Sequence, residues 1–117
     1  MHYRDTLVWN RAMEIVGEAY RLGRRLPREE MYGLRSQLTR AAVSIACNIA
    51  EGWTRESRRE KAQFLAIAHG SAAEAETLVT VCERTTMLHE SQTHDIRRYL
   101  DETSRMLTTL RRTTRSA

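Results

Sequence analysis

The chain has 117 residues and a formal net charge of +4 at pH 7, and this length favours a single domain over a two-domain enzyme. With one proline and five glycines it has few turn signals, which disfavours sandwiches and barrels with many hairpins. Two cysteines, Cys47 and Cys82, are too few for a disulfide scaffold, and no apolar run approaches the ~20 residues that span a bilayer. Because the N-terminus also lacks the apolar segment of a signal peptide, we expect a reduced, soluble, cytoplasmic protein that does not contact membranes.

The first predicted element is a helix with two apolar seams. One seam follows the three- and four-residue steps of a helix packed on helices and comprises Val8, Ala12, Ile15, Ala19, Leu22 and Leu26. A second seam runs beside it through Trp9, Met13, Val16 and Tyr20. Two adjacent seams make a wider apolar face than packing on one side requires. Pro27 lacks an N–H and restricts the residue before it, so the helix is predicted to end at Leu26.

The second helix, predicted from about Met31 to Glu51, has a long uncharged middle. No charged residue lies between Arg40 and Glu51, so nearly three turns are apolar, small or neutral on every side. One small core covers only one side of such a helix, and we therefore predict that its outer side packs against another copy of the chain. The residues predicted at that interface are Trp9, Met13, Val43, Ala46, Cys47 and Ala50. Gly52 is predicted to be the C-cap.

Two further helices follow after short loops. Ser57 and Glu60 have the capping-box spacing, and the third helix is predicted to run to about Met87, with Gly70 at a close helix crossing. Ser91 is predicted to cap a fourth helix, from about Gln92 to Arg112. The sequence thus predicts an all-α, up-down-up-down four-helix bundle over residues 1–112 that assembles as a symmetric homo-oligomer, with a frayed basic tail at 113–117.

No pattern in the sequence indicates catalysis or a metal centre. Di-iron bundles use Glu-x-x-His pairs, and none occurs here. No cysteine or histidine pair has the spacing of a zinc site. Cys47 lies in an apolar stretch without a neighbouring histidine, which favours a packing role over a nucleophilic one. P-loop, dinucleotide-binding and nucleophile-elbow motifs are also missing, so we assign no catalytic residue, metal or cofactor.

A polar strip lies beside the core stripe of the second helix. Ser44, Asn48 and Glu51 share one side of that helix, and Ser71 and Glu74 form a second pair on the third helix. Buried polar groups need partners, so we interpret the strip as a hydrogen-bonded network that fixes packing or subunit register. A ligand or catalytic pocket is the alternative, and it is disfavoured because no base, nucleophile and orienting group can be given separate roles.

The basic residues are almost all arginines, since Lys61 is the only lysine. Arginine's planar fork suits phosphate and carboxylate groups. Candidate nucleic-acid contacts lie at the start of the third helix, at the end of the first and on the fourth: Arg55, Arg58, Arg59 and Lys61; Arg24 and Arg25; Arg97 and Arg98. A symmetric oligomer would repeat each cluster around its axis. The alternative is a solvated surface on which Arg59 and its neighbours pair with Glu56 and Glu60.

The stretch from Tyr32 to Gly52 reads YGLRSQLTRAAVSIACNIAEG. It resembles the signature of a family of four-helix bundles that includes the proteins encoded in intervening sequences of bacterial 23S ribosomal RNA genes. The accessory variability determinant of diversity-generating retroelements is a related protein. Leu7 to Trp9 with Ala12, and Glu60 to Leu65 leading into Ala68 to Glu74, also match, so the likeness covers nearly the whole chain. Ala46 and Cys47 stand where the family commonly has Pro-Ser, so the family's local helix geometry is not carried over there.

The resemblance implies a homopentamer of bundles around a central channel, without enzymatic activity. For the retroelement relative it also implies binding of nucleic acid and of a reverse transcriptase through a basic surface. By position it marks Asn48, Glu51, Gly52, Ser71 and Glu74 as structural signature residues. We therefore predict a non-enzymatic oligomer whose candidate partners are RNA or DNA and a nucleic-acid enzyme such as a reverse transcriptase. A protein-interaction scaffold without nucleic-acid affinity is the alternative, and a hydrolase or nuclease is a distant third.

Overall fold

The computed structural model describes residues 1–116, which form a bundle of four helices. They are α1 (Leu7–Gly23), α2 (Leu34–Thr54), α3 (Arg58–Arg84) and α4 (Glu90–Ser116), with short 3₁₀ turns at Tyr3–Asp5 and Arg28–Glu30. Both α1 and α3 pack against α2 and α4, and the bundle measures 45 × 23 × 21 Å. The predicted all-α, up-down-up-down architecture is confirmed. None of the described helices carries an apolar stretch long enough to cross a bilayer.

The core consists of aliphatic side chains and alanines from all four helices. The predicted first seam is buried along its whole length, from Val8 in α1 to Leu26 in the connection that follows α1. The same cluster includes fully buried side chains of the other helices: Leu38, Ile45, Ile49, Ala68, Ala72, Ala75, Ile96, Leu100 and Leu107. Because these residues recur at the spacing of one helix face, local periodicity is sufficient to predict the core.

Gly52 lies inside α2 rather than at its end. The helix continues to Thr54, and α3 passes so close that a Cβ at position 52 would lie 3.2 Å from Phe64 Cβ and 3.4 Å from the Lys61 carbonyl oxygen. The predicted C-cap is therefore wrong, and the missing side chain instead permits a close helix approach. The crossing predicted at Gly70 is also wrong within this chain, since a Cβ there would meet nothing within 4 Å.

The starts of α3 and α4 depend on different kinds of cap. The predicted Ser57 cap forms, with its Oγ accepting from the Glu60 N–H at 3.3 Å. The predicted Ser91 cap is wrong, because His89 occupies the cap position of α4. The His89 N–H donates to Gln92 Oε1 at 2.8 Å, and His89 Nδ1 accepts from the Ser91 N–H at 3.1 Å.

The C-terminal segment is more regular than predicted. The fourth helix continues through residue 112 to Ser116, so the described part of the predicted frayed tail is helical, and Ala117 lies outside the described residues. At the other connection α1 ends at Gly23, before the predicted Leu26, and a 3₁₀ turn separates it from α2.

Candidate nucleic-acid interface

Antiparallel packing brings the start of α3 and the end of α4 to one end of the bundle. Arg58 and Arg59 lie on the first turn of α3, and Arg115 lies on the last turn of α4. Together they line a cleft of about 610 Å³ whose small side chains are Ala62 and Ala66. We call these five residues the basic cleft. Local spacing marked two of its arginines as candidates, but only the tertiary structure places Arg115 opposite them.

The arginines of the basic cleft are not engaged in ion pairs within the described chain. Within residues 1–116, none of Arg58, Arg59 and Arg115 forms an ion pair. The ion pairs of Arg59 and its neighbours with Glu56 and Glu60, which the alternative predicts, are not formed within residues 1–116. The N-terminus of α3 adds the partial positive charge of its unpaired backbone N–H groups. The cleft is consequently suited to an anionic ligand.

A further contact joins α3 and α4 one helical turn before Arg115. Arg111 Nη1 lies 3.1 Å from His69 Nδ1 on α3. A guanidinium can only donate, so His69 Nδ1 accepts and its proton is carried on the other ring nitrogen. Sequence patterns do not predict this pair, because the two residues are 42 positions apart and neither belongs to a recognisable motif.

Two candidate basic residues on α4 are already engaged within the bundle. Arg97 Nε donates to Glu83 Oε2 at 3.0 Å, and its Nη2 donates to Glu83 Oε1 and to Thr80 Oγ1. The Arg97 guanidinium lowers the pKa of the Glu83 carboxyl, and Glu83 in turn raises the pKa of Arg97. Arg98 Nη1 lies 3.4 Å from Glu102, and its guanidinium lies over the Tyr99 ring. We therefore reassign Arg97 to structural stabilisation, and Arg98 presents a largely compensated charge.

Two further candidates contact the C-terminal end of α2. Lys61 Nζ donates to the carbonyl oxygens of Trp53 at 3.2 Å and Gly52 at 3.5 Å, which satisfies groups left open at the helix end. Arg55 pairs with Glu51 at 3.0 Å and lies over the ring of Phe64. The Arg55 pair is exposed, and such pairs contribute little stability, so Arg55 can still exchange its partner for a ligand.

Arg24 and Arg25 lie at the opposite end of the bundle from the basic cleft. Both side chains are exposed, and neither forms an ion pair among the residues that the structure describes. The molecule therefore carries uncompensated arginines at both ends of its 45 Å axis.

The predicted polar strip forms a smaller network than expected. Ser44 Oγ and Ser71 Oγ lie 2.8 Å apart, which links α2 to α3. Asn48 Nδ2 donates to the Ser44 carbonyl oxygen at 2.8 Å and to its Oγ at 3.0 Å. Glu51 points to Arg55 instead, and Glu74 is exposed. No histidine or carboxylate of the described chain hydrogen-bonds to the three linked side chains, which favours a packing role over a catalytic one.

The residues predicted at a subunit interface fall into two groups. Met13, Val43 and Cys47 are exposed on the outer surface of α1 and α2, and Ala50 is half-buried beside them. Ala46 is only 5% exposed and belongs to the chain's own core, so its assignment to an interface is wrong.

Two aromatic side chains of α1, Trp9 and Tyr20, lie near the same surface and differ in their exposure. Trp9 is partly buried against the core and packs edge-on against Tyr3. Tyr20, a member of the second seam of α1, is 48% exposed and lines a shallow pocket with Val43 and Ser44. We call the surface formed by Met13, Tyr20, Val43 and Cys47 the outer face.

Fold and surface together define a helical bundle with an uncompensated basic cleft. Within residues 1–116, no group of three or more His, Cys, Asp or Glu side chains is placed to hold a metal ion. A family model described as 23S rRNA-intervening sequence protein matches residues 4–109, and the chain belongs to this family. The resemblance inferred from the stretch Tyr32 to Gly52 is thereby confirmed.

A solved structure supports the same relationship. It is a protein of unknown function from the S23 ribosomal protein family of Bacteroides thetaiotaomicron, 25% identical to this chain with a TM-score of 0.82. The match covers 89% of this chain and 97% of that one. No curated protein matches the chain.

Proposed function

We propose that this chain is a non-enzymatic, self-associating bundle that binds nucleic acid through the basic cleft. The observation that carries the proposal is that Arg58, Arg59 and Arg115 converge on one cleft without a carboxylate partner in the described chain. Guanidinium groups bind phosphate with two parallel hydrogen bonds. The small side chains of Ala62 and Ala66 leave room for a phosphodiester backbone between the two helices.

Self-association would strengthen this binding by repeating the cleft. The outer face exposes apolar side chains of α1 and α2. Its α2 part lies in the stretch between Arg40 and Glu51 that carries no charge. Contact of the outer face with a different surface of a neighbouring copy, as a ring of copies requires, would cover Val43 and Tyr20 and remove apolar surface from water. A homopentamer, as the family resemblance implies, would present five basic clefts and a correspondingly stronger field.

Binding of a labelled RNA, followed by fluorescence anisotropy across a salt series, tests the proposal. Arg58→Glu and Arg59→Glu are each expected to lower affinity about tenfold, because each removes a charged hydrogen bond to phosphate. Each should also reduce the slope of log affinity against log salt by about 0.7. Arg105→Glu is the control for total charge, since it changes net charge equally, lies outside the cleft and loses only an exposed pair with Asp101. An equal loss in the control would show that only total charge matters.

Two other outcomes would favour the other functions. An absence of RNA binding by the wild-type chain at about 50 mM salt, where phosphate contacts are strongest, would favour a protein-interaction scaffold. Cleavage of the labelled RNA that is lost in Glu51→Gln or Glu74→Gln, with the assembly intact, would show that the protein is a nuclease.

A further inference from the structure

The connection between α1 and α2 presents an aromatic ring to solvent. Tyr32 is 91% exposed, whereas every other Tyr, Trp and Phe of residues 1–116 is at least partly covered. Aromatic side chains contribute most to stability when they are buried. Full exposure of this ring therefore gives the fold nothing and leaves it free to contact another molecule.

The backbone that carries Tyr32 is held in place on both sides. The Met31 N–H donates to the Arg28 carbonyl oxygen and the Gly33 N–H to the Glu30 carbonyl oxygen, both at 3.1 Å. Glu30 Oε1 also accepts from the N–H of residue 34 at 3.1 Å, which caps α2. A Cβ at Gly33 would lie 2.7 Å from that same oxygen, so a side chain there would displace the Glu30 carboxylate from its present position. The ring is thus displayed from a fixed turn, which lowers the entropic cost of binding.

Three exposed arginines lie on the same connection as the exposed ring. Arg24, Arg25 and Arg28 are exposed on the same connection, and within the described residues none of them forms an ion pair. Glu29 and Glu30 lie on the same turn, Glu30 Oε1 accepts from the start of α2, and neither carboxylate forms an ion pair within residues 1–116. We call the three arginines with Tyr32 the aromatic tip.

We propose that the aromatic tip binds single-stranded nucleic acid, with an unpaired base stacked on Tyr32 and the flanking phosphates held by the arginines. This inference rests on the proposed nucleic-acid binding but uses residues at the opposite end of the bundle from the basic cleft. Base stacking on an exposed aromatic ring requires a base that is not already stacked and paired. A duplex offers only its phosphates to the tip, so the tip confers a preference for single strands.

The experiment compares a labelled single-stranded RNA dodecamer with the duplex of the same sequence, by anisotropy at low salt. Tyr32→Leu keeps an apolar side chain but removes the ring, and it is expected to weaken single-strand binding about fivefold or more while leaving duplex binding unchanged. Tyr32→Phe keeps the ring and should retain wild-type affinity. A 2-aminopurine base in the single strand should change its fluorescence on binding to the wild type and to Tyr32→Phe, but much less with Tyr32→Leu.

The outcomes separate the aromatic tip from the basic cleft. Loss of binding in Arg58→Glu together with wild-type single-strand affinity in Tyr32→Leu would overturn the tip and leave the proposed function standing. If Tyr32→Leu lowered the affinity for single-stranded and duplex RNA equally, the aromatic tip would also be overturned. A changed oligomer mass of Tyr32→Leu in light scattering would overturn it too, because the ring would then serve assembly. Failure of the wild type to bind either RNA would overturn both proposals.

Discussion

Replacement of Val43 by glutamate tests whether the outer face joins copies of the chain. Val43 is 36% exposed in the single chain, and Val81 on α3 is 37% exposed, so Val81→Glu is a closely matched control. In an isolated bundle both new carboxylates can reach water at the helix surface. We therefore expect each substitution to change the stability of the isolated chain by no more than about 0.5 kcal/mol.

The two variants should differ sharply if Val43 is covered by a neighbouring copy. An unpaired carboxylate in a buried contact costs about 3–5 kcal/mol, which corresponds to a dissociation constant raised roughly 10²- to 10³-fold or more. Size-exclusion chromatography with light scattering should then give an oligomer for the wild type and Val81→Glu, and folded monomers for Val43→Glu. Circular dichroism checks that the bundle remains helical. A monomeric wild type, or identical masses for the two variants, would refute the proposed interface.

Two further predictions concern the stability of the bundle and are checked by chemical and thermal denaturation. Glu83→Gln should cost about 1–2 kcal/mol at neutral pH, because it removes the charged partner of Arg97. The folded chain lowers the pKa of Glu83 from its ordinary 4.5, and Arg97 is the main cause. The extra stability of the wild type over Glu83→Gln is therefore complete above pH 4.5 and shrinks as the pH falls through the lower pKa of the folded state. A stability difference that does not depend on pH would contradict the ion pair between Glu83 and Arg97. Gly52→Ala should lower the free energy of unfolding by about 1–3 kcal/mol, because the new Cβ overpacks against α3. Gly70→Ala should raise it by up to about 1 kcal/mol through helix propensity. Equal effects of the two substitutions would contradict a close helix contact at Gly52 and open space at Gly70.

Much of the fold could be predicted from local patterns. The buried seam from Val8 to Leu26 follows from helical periodicity, because a helix can bury only residues that share a face. The Ser57 cap follows from a hydrogen bond that spans three residues. The sequence marks Ser44 and Ser71 as polar residues that need partners, and the structure joins them by a hydrogen bond between α2 and α3.

The errors arose where a residue's role depends on a distant neighbour. Ala46 and Val43 are both small or apolar residues in one uncharged helix, but only the angular position around the bundle axis decides which of them faces the core. Gly52 has the sequence context of a helix end, yet the approach of α3 determines its role. The His89 cap could not be anticipated because several polar side chains compete for the first turn of α4.

The amino-acid order by itself determined that this protein is a four-helix bundle with an apolar core, an uncharged second helix and a surplus of arginine. Only the tertiary structure decided which arginines keep their charge available. Arg97 donates to Glu83, which compensates its charge. Arg58 on α3 and Arg115 on α4 instead line one cleft together. Periodicity along a helix is a local property, whereas the cancellation or addition of charges depends on distances through space that the chain order does not contain.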